Sequence, residues 1–150
     1  MSAGWDLKEG TLKYSAISDD KLWSLFNFVF SSACHKTNTY KFGLIKSILD
    51  NLFNAVPQDN LLFLSYENIF AKFAENYWNL VVKYGIRQMK FNGQAKLSKI
   101  ELILLDAVKD NFLLSNIEFS SIDSAEKLKI IKRVTSECKK YVVGALYNDF

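Results

Sequence analysis

From Ser65 to Tyr84 the chain reads SYENIFAKFAENYWNLVVKY, with apolar residues recurring every three or four positions. Tyr66, Ile69, Phe70, Phe73, Tyr77, Leu80, Val81 and Tyr84 therefore line one face of a 3.6-residue helix. Ser65 is placed to cap it, and Glu67 sets a carboxylate in the positive first turn. So many large side chains on one stripe must be buried against several neighbours. The pattern predicts the central helix of a helical domain.

The same periodicity recurs on both sides. Ser18 opens a first helix, with Asp19 and Asp20 in its first turn and Leu22, Leu25, Phe26, Val29 and Phe30 as its buried face. A second helix, Tyr40 to Asn54, follows Thr39 as cap and carries the stripe Phe42, Ile45, Ile48, Leu49, Leu52 and Phe53. Gly43 costs that helix about 1 kcal/mol relative to alanine, which marks a close helix contact. Pro57 falls in the following loop, and Phe63, in the patch Leu61 to Leu64, is set to act as a hydrophobic staple.

Beyond the central helix, Gly85 suits a left-handed cap. Ser98 and Glu101 form a capping box for a fourth helix, Lys99 to about Phe112. Ile100, Leu102, Ile103, Leu104, Leu105, Ala107 and Val108 make that helix apolar on nearly every side, so it is buried on more than one side or meets a partner subunit. A second box, Asp123 and Glu126, opens a fifth helix to about Lys140, with Leu128, Ile131, Val134, Cys138 and Tyr141 facing inward. Leu12, Tyr14 and Ala16 alternate in the N-terminal arm, and Tyr141 to Phe150 turns β-like around Gly144. The expectation is an all-α single domain of about five helices, with room for a minor β pairing between that arm and the C-terminal segment.

Composition changes this picture little. One hundred and fifty residues make one domain with a core that needs no staples. No apolar run approaches the roughly 20 residues of a membrane span, and no signal peptide opens the chain, so a soluble, cytoplasmic protein is expected. Cys34 and Cys138 are then reduced thiols. The chain stops on Phe150, whereas natural C-termini trail off in polar residues, so it reads as a fragment of a longer protein.

Candidate chemistry is sparse. Cys34 and His35 are adjacent, a spacing that suits neither a common zinc site nor a Cys–His catalytic pair, and His35 is the single histidine. No serine elbow, phosphate-cradling glycine loop or HExxH helix is present. Asp106 and Asp110 share a helix face where two carboxylates could hold Mg²⁺, against the plainer reading of a solvated edge. No residue is assigned a catalytic, cofactor or metal role. Trp23 and Trp78 flank the stripes of their helices, a position found at core edges and at interfaces.

The net charge of +3 is mild, and lysine supplies nearly all of the positive charge beside Arg87 and Arg133. The cations nonetheless cluster. Lys83, Arg87, Lys90, Lys96 and Lys99 follow one another with no Asp or Glu between, and Gln88, Phe91, Asn92 and Gln94 add hydrogen-bonding and stacking groups. That mix fits phosphate and base contact with nucleic acid. Lys127, Lys129, Lys132 and Arg133 could extend it. The competing reading is a solvated positive loop after a helix C-terminus.

Three segments carry a family resemblance: TNTYKFGLIKSILDNLFN (Thr37 to Asn54), YENIFAKFAENYWNLVVKYGIRQ (Tyr66 to Gln88) and VVGALYNDF (Val142 to Phe150). They resemble the N-terminal helical region of a bacterial family of HNH-endonuclease-domain proteins. In that family the metal-binding ββα nuclease lies further along, and this chain ends before any such motif. The resemblance implies a non-catalytic accessory part of a restriction or phage-defence nuclease, with a divalent metal only in that later domain. It makes duplex DNA a natural partner. The second expectation, drawn from the greasy fourth helix and the flanking tryptophans, is a protein-interaction or dimerisation domain with no nucleic-acid role.

Overall fold

A computed structural model describes residues 18–34, 39–58, 61–88, 96–110 and 117–143. Five α-helices carry the fold: α1 (Asp19–Phe30), α2 (Tyr40–Asp50), α3 (Tyr66–Trp78), α4 (Lys99–Asp110) and α5 (Ser124–Cys138). A 3-10 turn, Leu52–Asn54, extends α2, and π-helical turns extend α3 through Asn79–Lys83 and α5 through Lys139–Val143. The all-α expectation holds.

A small sheet forms in the connection between α2 and α3. β1 (Val56–Gln58) and β2 (Leu61–Phe63) pair antiparallel, Val56 opposite Phe63. The N-terminal arm and residues 144–150, where the pairing was expected, lie outside the described residues. Tyr141–Val143 is not β-like; it continues α5 as a π turn.

α3 is central, packing against α2 and α5 while its π turn meets α4. Ile69, Phe70, Phe73, Tyr77 and Val81 are buried as the stripe demands, and Ala74, Trp78 and Val82 are buried beside them. Ser65 accepts from the Asn68 N–H at 3.1 Å as the cap. Leu64 rather than the exposed Phe63 packs on the core ahead of it. Gly85 has φ +63°, and the next N–H, of Ile86, donates to the Leu80 carbonyl at 2.8 Å. That bond reaches further back than in an ordinary glycine cap because the last turn is π-helical.

The buried face of α2 is rotated from its apolar stripe. Leu44, Ile45, Ser47 and Asn51 are buried, whereas Leu49, Leu52 and Phe53 are exposed. The reason is polar pairing within the contact. Ser47 Oγ donates to the Gly43 carbonyl at 2.7 Å, and Asn51 Nδ2 reaches the carbonyls of Ser47 and of Asn68 on α3. These groups enter the interface satisfied, so burial costs little. α5 shows a smaller shift: Ile130, Val134, Cys138 and Val142 are buried, while Leu128 and Tyr141 are exposed.

Candidate functional site

The ends of the basic connection are anchored by a buried polar network. The Ser98–Glu101 capping box forms in full: the Ser98 N–H donates to Glu101 Oε2 at 2.7 Å, and the Glu101 N–H to Ser98 Oγ at 3.3 Å. The other oxygen of Glu101 accepts the Gln88 N–H at 3.1 Å, so one carboxyl group holds both Gln88 and Ser98. Gln88 is buried and cannot present its amide to a nucleic acid; its side chain accepts from the Thr39 hydroxyl and donates to the Ile86 carbonyl. Thr39 makes no capping bond to α2 because its hydroxyl is shared between Gln88 and Tyr77. Tyr40 accepts the Ile100 N–H at 3.2 Å and donates to Ser98 Oγ. Burial pushes the Tyr40 phenol up to about 12, and burial likewise raises that of Tyr77.

Of the five cations expected to contact phosphate, two are spent internally. Lys83 pairs with Glu118, and Lys99 lies 3.2 Å from Glu137 and 4.7 Å from the centre of the Tyr141 ring. Each pairing raises the ammonium above its ordinary value, chiefly through the hydrogen bond to the glutamate. Arg87 and Lys96 are exposed and form no ion pair among the described residues. Lys90, with Phe91, Asn92 and Gln94, lies outside the described residues. The extension on α5 is also largely engaged, since Lys129 pairs with Glu126, Arg133 lies 3.8 Å from Asp106, and Lys127 donates to the Ser120 carbonyl. Glu126, bound to Lys129, gives no return bond to the Asp123 cap, which accepts from Ala125 and Glu126 N–H groups.

The remaining candidates separate cleanly. Asp106 lies 3.8 Å from Arg133, and no group of three or more metal-ligating side chains gathers among the described residues. Both cysteines are buried, and the Lys41 ammonium donates to Cys34 Sγ at 3.6 Å. His35 lies outside the described residues. An open cleft of about 730 Å³ is lined by residues of α3, α5 and the end of α2, and part of its polar lining is paired internally: Lys72 pairs with Glu75, and Asn51 accepts from Asn54. None of the described helices is long and apolar enough to cross a membrane.

The two flanking tryptophans have opposite fates. Trp78 is fully buried and donates to the Ile117 carbonyl at 2.9 Å, so it is core. Trp23 is 67% exposed. Its helix, α1, was expected to bury five residues, but only Val29 is buried; Leu25 and Phe26 are half-buried, and Leu22 and Phe30 are exposed. Trp23, Phe26 and Phe30 form an aromatic flank, with Trp23 and Phe26 centred 6.5 Å apart. Phe30 stacks on Phe42 of α2 at 5.1 Å, so the flank continues onto the body. The fourth helix does not behave this way; Ile100, Leu104 and Ala107 are buried, and Ile103, Leu105 and Val108 pack against the same core. Comparisons with protein-family models, curated protein sequences and solved structures return no match for this chain.

Proposed function

We propose that this chain is a non-catalytic helical module that docks another protein through the aromatic flank of α1. One observation carries the reading: Trp23, 67% exposed, and Phe30, 59% exposed, stand on one side of a helix with a single buried residue. Isolated exposed apolar residues are ordinary, whereas contiguous large aromatics anchor interfaces. The resemblance to the helical region of HNH-endonuclease proteins supplies a setting, an accessory part beside a nuclease of restriction or phage defence. The test is site-specific photo-crosslinking from position 23 in cells expressing the protein. A discrete crosslinked band is expected. Its absence, with a band still absent from position 30, would end the docking reading.

A second reading, duplex DNA contact, keeps one specific support. Arg87 and Lys96 are exposed cations that nothing in the described structure neutralises. Neutralising both, together with Lys90, should weaken DNA binding. The slope of log affinity against log salt should shrink by about 0.9 for each phosphate that is no longer neutralised. An unchanged affinity would remove these three side chains from any DNA contact.

A further inference from the structure

We infer that Glu101 is a positioning residue for phosphate contact: it sets Arg87 and Lys96 together as one grip on a single phosphate of duplex DNA. This rests on the DNA-contact reading above and names the device that serves it. Arg87 and Lys96 stand at opposite ends of the basic connection, and bringing the ends of a connection together costs chain entropy. One buried carboxyl group offsets that cost here. Glu101, 1% exposed, accepts the Gln88 N–H at 3.1 Å on one oxygen and the Ser98 N–H at 2.7 Å on the other. The backbones at Gln88 and Ser98 are therefore neighbours in space. Arg87 adjoins the first, and Lys96 comes two residues before the second.

The backbone on either side of Arg87 is held as well. The Ile86 N–H donates to the Leu80 carbonyl at 2.8 Å, and Gln88 Nε2 to the Ile86 carbonyl at 2.6 Å. Ser98 is held a second time by the Tyr40 hydroxyl. A backbone fixed in advance lowers the entropic cost of contact. Both side chains are exposed and form no ion pair among the described residues, whereas the cations beyond them, Lys83 and Lys99, are paired with Glu118 and Glu137. Glu101 does not compete for either cation, because N–H groups already occupy both of its oxygens. An arginine fork matches two oxygens of a phosphate, and a lysine adds a compact charge beside it. Such contacts position a protein on the duplex without reading its sequence.

Binding of the full chain to a labelled duplex, followed by fluorescence anisotropy from about 50 to about 200 mM salt, tests this. Arg87→Ala and Lys96→Ala should each weaken binding. Because the two share one phosphate, the double variant should lose at least about threefold less affinity than the product of the single losses. Its slope of log affinity against log salt should shrink by about 0.9, the value for one phosphate, and not by about twice that. With Glu101→Gln the side chain no longer accepts both N–H groups, so the coupling should vanish and the two losses should multiply. A merely structural role for Glu101 would lower stability and leave the coupling in place. Circular dichroism confirms folding; Glu101→Asp, too short to reach both N–H groups, serves if Glu101→Gln fails to fold. Single losses that multiply with Glu101 intact, or a coupling that survives its replacement, overturn the inference and keep the DNA reading. No duplex binding at the lowest salt, or binding indifferent to both cations, sinks the two together.

Discussion

At Gly43 the chain holds a hydrogen where any other residue would place a carbon 2.3 Å from the Tyr77 ring. Tyr77 cannot yield, because it is fully buried and stacked on Phe73 at 4.4 Å. Alanine would gain about 1 kcal/mol of helix propensity but force overpacking that costs about 1–3 kcal/mol. Gly43→Ala should therefore lower the urea midpoint rather than raise it. The neighbouring phenols make a second claim at this scale. Tyr40 titrates at about 12 when folded, above its unfolded value near 10. A group raised in this way stabilises fully below its unfolded value, and that stability is lost as pH rises through the folded one. Stability should thus fall between about pH 10 and about pH 12, and Tyr40→Phe should flatten that decline in an alkaline series of urea melts.

At the scale of elements, the start of α4 is the best-determined junction. Ser98 and Glu101 satisfy each other, and Glu101 also takes the Gln88 N–H from the end of α3's connection. Glu101→Ala would strand two N–H groups in a buried place, at a cost of about 3 kcal/mol. The loss should appear as a lower thermal midpoint, whereas Asp123→Ala, at an exposed cap, should cost about 1 kcal/mol. The Ser98–Glu101 box and the Asp123 cap were legible because their residue types and spacing are local, whereas the return bond expected from Glu126 is lost to Lys129. The bearing of α2 was not. Tyr40, Leu44, Ser47 and Asn51 follow helical spacing as well as the apolar stripe does, but serine and asparagine do not announce burial. What admits them is a hydrogen bond to α3 that only the folded pair of helices supplies.

For the whole molecule, α2, α3, α4 and α5 share one core, and α1 stands at its margin. Local opening is easiest where few buried apolar groups hold an element down. Native-state hydrogen exchange should therefore find the amides of Phe73, Ala74 and Tyr77 opening only with global unfolding, and those of α1 opening at a fraction of that free energy. Equal protection across both would contradict this arrangement.

From its residues alone, the chain determined its five helices, the central place of Ser65 to Tyr84, the turn at Gly85 and the caps at Ser18, Ser65, Ser98 and Asp123. Each of these depends on residues within a few positions of one another, where spacing alone sets which groups can meet. Tertiary structure decided which side of each helix is covered, which cations are already paired, and which tryptophan is core. Those outcomes depend on what arrives from distant positions: Glu118 at Lys83, Glu137 at Lys99, the Ile117 carbonyl at Trp78. Trp23 receives no comparable cover, and that difference, invisible in the pattern of the two helices, is where the functional reading begins.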